Sequence, residues 1–138
     1  MWSKNFRKCV IGAVYQNLFW CSFNGNTYTP DWTMLMNEHK NSEDIFTVED
    51  LDLAYQDFVS NKDTYITNIT EYVSKWDKTF DLVKACLIVF LIEKNADPSP
   101  ESKLVGHYIK FAQDFAGGEN PALVHAVISK ILEDKSHS

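Results

Sequence analysis

Eight apolar residues in a row, Ala85 to Ile92, close the stretch Leu82-Val83-Lys84-Ala85-Cys86-Leu87-Ile88-Val89-Phe90-Leu91-Ile92. An amphipathic surface helix shows one apolar stripe, whereas a segment apolar on every side must be buried on every side. A central helix and a buried strand both satisfy that condition, and periodicity alone does not separate them. Length and flanks do. The apolar character runs from Phe80 to the Glu93-Lys94 boundary, too long for most strands, and Leu, Ala, Cys and Lys dilute the β-branched residues. The spacing therefore predicts a core helix over 81–94. The segment falls short of the roughly 20 apolar residues that a membrane span requires.

The remaining segments also read as helices, so the fold class is all-α. Phe6, Cys9, Val10, Ala13, Val14 and Leu18 recur at helical spacing and place a first helix over 3–20, broken by the Cys21 to Asn26 stretch around Gly25. Thr29-Pro30 has the cap-plus-proline form of a helix start, for a second helix ending near Lys40. Thr47-Val48-Glu49-Asp50 resembles a capping box, and Leu51, Ala54, Tyr55, Phe58 and Val59 follow it on one face. After a weak patch at 60–64, Ile66, Ile69, Tyr72, Val73 and Trp76 resume the pattern, as one kinked helix or as two. Ser99-Pro100 and Asn120-Pro121 start two more helices, with Gly117-Gly118 as a stop between them and a polar tail from Glu133 that should fray. The count is about seven helices in a single domain, 1–138, long enough to bury a sizeable core.

Composition narrows the function. The net charge of −6 disfavours a protein that grips nucleic acid with its whole surface. The charge is uneven, however. Residues 1–30 hold Lys4, Arg7 and Lys8 and no acid, while the rest holds ten lysines against nineteen acids, a net −9. A basic start on an acidic body marks one localised anion-binding end. Cys9, Cys21 and Cys86 are odd in number and lack CxxC spacing, which favours reduced, buried thiols. His39, His107, His125 and His137 are scattered, and no nucleophile, phosphate-loop or metal-ligand motif occurs. Neither an enzyme nor a bound cofactor or metal is expected. Without a signal-like apolar run at the N-terminus, the expected location is cytoplasmic, with no membrane association.

Three stretches, in order, resemble the NusB family of transcription antitermination proteins. Phe6-Arg7-Lys8-Cys9-Val10-Ile11-Gly12-Ala13-Val14-Tyr15-Gln16 is similar to that family's first helix. Ile69 to Trp76, then Lys84-Ala85-Cys86-Leu87 through Glu93, are similar to its middle helices. Phe115-Ala116-Gly117-Gly118-Glu119-Asn120-Pro121 and Leu123 to Ile131 are similar to its closing pair. The resemblance implies two small helical bundles packed together. It also implies a pairing with the ribosomal protein NusE, binding of boxA-type RNA, and support of rRNA transcription by the elongation complex. On this reading Lys4, Arg7 and Lys8, with Tyr15 and Gln16 further along, meet single-stranded RNA through charge and stacking. A mixed-charge face including Asp81, Lys84 and Glu93 meets the basic partner. The alternative is a helical protein-interaction module of the same fold that has lost autonomous RNA binding.

Overall fold

A computed structural model describes residues 2–24, 28–96 and 101–136. The described chain is all-helical: α1 (Lys4–Asn24), α2 (Trp32–His39), α3 (Val48–Thr70), a 3₁₀ turn (Trp76–Lys78), α4 (Asp81–Ala96), α5 (Glu101–Phe115) and α6 (Asn120–Ser136). The Ser99-Pro100 start lies outside the described residues.

α4 sits at the centre, in contact with α1, α3, α5 and α6. Every residue from Ala85 to Glu93 is buried, as a helix without a polar face requires. α1 is the second core element and packs against α2, α3 and α4. A Cβ on its Gly12 would lie 2.9 Å from Leu35 Cδ2, so any side chain there would force the buried Leu35 of α2 to shift.

Local chemistry sets most of the boundaries. Thr47 Oγ1 accepts from the Asp50 N–H while the Asp50 carboxylate accepts from the Thr47 N–H, a complete capping box opening α3. α3 is one helix kinked at Asn61 (φ −124°, ψ 19°). There the Asn61 amide donates to the Asp57 carbonyl oxygen at 3.1 Å and to its carboxylate at 2.8 Å. A side chain that bonds the carbonyl one turn back competes with the helix ladder, which accounts for the kink. Gly117 and Gly118 take φ values of 62° and 59°, the left-handed backbone that ends α5 and turns the chain into α6.

Several boundaries differ from the sequence reading. α1 continues through Cys21 to Asn24 before it ends. α2 is capped by Asp31, whose carboxylate accepts from the Met34 N–H at 3.0 Å, rather than by Thr29. α3 stops at Thr70, and Trp76 lies in the short 3₁₀ turn instead of on a helix. Val59, expected on the apolar face of α3, is exposed, because it lies about 90° of helical rotation from the centre of the buried stripe formed by Leu51, Ala54, Tyr55 and Phe58. The tail stays helical to Ser136.

Candidate nucleic-acid interface

The N-terminal turns of α1 lie against α5, and the groove between them is lined by Lys4, Arg7 and Lys8 from one helix and His107, Lys110, Phe111, Asp114 and Phe115 from the other. It encloses about 100 Å³. Lys4 is exposed, and the Lys8 ammonium stands 5.1 Å from the centre of the Phe115 ring. Phe115 in turn is 48% exposed and packs on Phe111, with ring centres 4.8 Å apart. An aromatic pair flanked by lysines offers both charge and a stacking surface. Lys110 Nζ is 3.3 Å from the Asp114 carboxylate, so the groove presents three lysines against one acid. His107 is held below its usual range, first by desolvation of its ring and then by the nearby Arg7 guanidinium, and contributes little charge near neutrality.

Arg7 is the correction. Only 3% of it is exposed, and its guanidinium points into the core instead of toward solvent. Arg7 Nε donates to Glu93 Oε1 at 2.7 Å and a terminal nitrogen donates to Glu93 Oε2 at 2.9 Å, a bidentate pair. The same terminal nitrogen reaches the Trp2 carbonyl oxygen at 3.0 Å. Glu93, wholly buried, also accepts from the Trp2 N–H at 3.1 Å and from the Tyr108 hydroxyl at 2.8 Å. A buried carboxylate and guanidinium must satisfy one another or pay heavily in lost solvation. Neither Arg7 as an RNA contact nor Glu93 as a partner contact is on the surface. Each is spent on the other.

The other expected site residues scatter. Tyr15 lies on the same side of α1 as Lys4 and Lys8 by helical geometry, but buried Ile11 falls between them on that side, so the three form no continuous exposed strip. Tyr15 itself is half-buried against the core. Gln16 is about a quarter turn away, and its side-chain oxygen accepts from the Tyr28 hydroxyl. Asp81 and Lys84 do meet, at 3.7 Å in the first turn of α4, with the Lys84 ammonium 5.0 Å from the centre of the Trp76 ring. The adjacent Phe80 is exposed.

The α5 half of the groove was not among the residues expected from sequence. His107, Phe111, Asp114 and Phe115 recur at i, i+4, i+7 and i+8, so a helical projection of α5 would have shown a second stripe beside the core stripe of Leu104, Tyr108 and Ala112. That this stripe faces the lysines of α1 is information only packing supplies.

Two of the three thiols are inert by environment. Burial raises Cys9 to about 11 and Cys86 to about 12, and none of the three cysteines forms a disulfide. Cys21, expected to be buried, is half-buried. Among the described residues no cluster of His, Cys, Asp and Glu could hold a metal ion. Likewise no described helix is long and apolar enough to cross a membrane. No family model matches the chain, and neither a curated protein nor a solved structure matches it.

Proposed function

We propose that this chain is an RNA-binding transcription antitermination factor of the NusB type, which takes boxA-type single-stranded RNA together with ribosomal protein NusE in the elongation complex. Support comes from the ordered sequence resemblance and from one observation: the α1–α5 groove, where Lys4, Lys8 and Lys110 surround the exposed Phe115 ring and the half-buried Phe111 on which it packs. Lysines hold phosphates of any sequence, while the rings offer bases a stacking face. The lysines of this groove are few, and the chain is acidic overall, so RNA binds weakly unless the partner adds contacts. Asp81 and Lys84, beside Trp76 and the exposed Phe80, remain the proposed partner contacts.

A second reading, a protein-interaction module without RNA binding, is favoured by the loss of Arg7 to the core and by Phe19 and Trp20, which stand exposed on the C-terminal half of α1. Measuring boxA RNA affinity across salt concentrations, with and without NusE, separates the two. Removing Lys4, Lys8 and Lys110 one at a time by Gln substitution should weaken RNA binding in the partner complex and lower the salt slope by about 0.7 per lysine. RNA affinity unchanged in the combined variant would leave the interaction module as the function.

A further inference from the structure

A second cleft lies on different elements and shares no lining residue with the α1–α5 groove. It opens between the connection that follows α3, residues 72–79, and the face of α6, and encloses about 550 Å³. Lys75 and Lys78 reach it from the connection and Lys130 from α6. No carboxylate lines it, in a chain whose net charge is −6. Among the described residues none of these three lysines takes part in an ion pair, whereas Lys84 is paired with Asp81 and Lys110 with Asp114. Even Asp134, one helical turn beyond Lys130, accepts instead from the Tyr72 hydroxyl at 2.7 Å. Three like charges around one concavity repel each other, and their potential falls on whatever enters.

The rest of the lining is apolar or neutral. Val73 and Val127 are buried at the cleft, while the Tyr72 ring and the exposed Phe80 ring border it. Ser74 and Thr79 add hydroxyl groups. Cations beside aromatic and aliphatic walls match a ligand that is anionic at one end and flat and apolar at the other. The volume is within the usual range for small-molecule sites.

We propose that this cleft is a nucleotide-binding site, in which Lys75, Lys78 and Lys130 hold the phosphate and the base rests against Tyr72 and Phe80. A free nucleotide and one unit of a single strand carry the same chemistry, and the experiment tells them apart. Calorimetry at low salt would use the full chain with adenosine monophosphate and with a short oligoadenylate. Three proteins are compared: wild type, Lys75→Gln/Lys78→Gln/Lys130→Gln, and Lys4→Gln/Lys8→Gln/Lys110→Gln, each checked for retained helicity by circular dichroism. The cleft variant should lose at least about tenfold in affinity for the probe that binds, as expected for removing charge-assisted phosphate contacts. The groove variant should keep binding of adenosine monophosphate, so the failure of one site is distinguishable from the failure of the other. Tighter binding of the oligomer, with a salt slope that falls by about 2 in the cleft variant, identifies a strand as the ligand. Equal binding of the two probes identifies a free nucleotide. The proposal is overturned if neither probe binds the wild type, or if the cleft variant binds both as the wild type does.

Discussion

α4 and the first two turns of α1 pack side by side at the centre of the molecule, yet they are held there by opposite chemistry. α4 between Ala85 and Ile92 is stabilised chiefly by apolar burial, with Phe90 edge-on to Tyr108 at 5.5 Å between ring centres. The start of α1 carries three cations, of which Lys4 stays in solvent, Lys8 covers Phe115 and Arg7 enters the core to meet Glu93. An apolar run can go only one way. A charged residue can go either way, and its fate depends on whether another element delivers a counter-ion. Here α4 delivers Glu93 and α5 delivers the Tyr108 hydroxyl, so one buried network ties α1, α4 and α5 together with the backbone of Trp2.

The largest expected effect tests the charged half of that comparison. Glu93→Ala leaves the Arg7 guanidinium buried without its partner and should cost about 3–5 kcal/mol, read as a lowered urea midpoint. Replacing both members, Arg7→Met with Glu93→Leu, should recover most of that loss, because a well-packed apolar pair avoids the desolvation of two charges. If the single substitution costs no more than an ordinary surface change, the network does not organise the α1–α4 contact.

The apolar half is tested by Leu87→Ala, expected to cost about 2–5 kcal/mol according to how far the site collapses. Unlike Glu93→Ala it has no rescuing partner substitution, and its cost should not vary with salt. A near-neutral result would mean that α4 is not the fully packed element its burial indicates.

The smallest effect is on pH dependence. His39 and His107 are both lowered from the ordinary value of 6.5, chiefly by desolvation. The unfolded chain therefore takes up these protons first as pH falls. Their contribution is complete above about 6.5 and is lost as pH drops through that value toward the lower folded ones. Urea midpoints should decline modestly between neutral pH and about 5.5, and His107→Gln should flatten part of the decline. A midpoint that rises over the same window contradicts the direction given for both histidines.

Local rules made much of the fold legible. The all-α class followed from periodicity, the start of α3 from Thr47 and Asp50, and the end of α5 from Gly117-Gly118. Each of these depends on residues within a turn or two of each other. Boundaries failed where a competing local bond was overlooked, as with Asp31 capping α2 in place of Thr29. Asn61 kinked α3 within the patch already read as weakly helical.

By itself, then, the sequence determined that the segment 81–94 is the core helix, that the chain belongs to the all-α class, and that its cations are unevenly distributed. Only the tertiary structure decided which cations remain available. Arg7 and Glu93 stand 86 positions apart, and Lys8 meets Phe115 across two helices. Periodicity can place a residue on a helix face, but it carries no information about what faces it. A buried ion pair forms only when packing brings its two members within bonding distance in a medium that neither could enter alone.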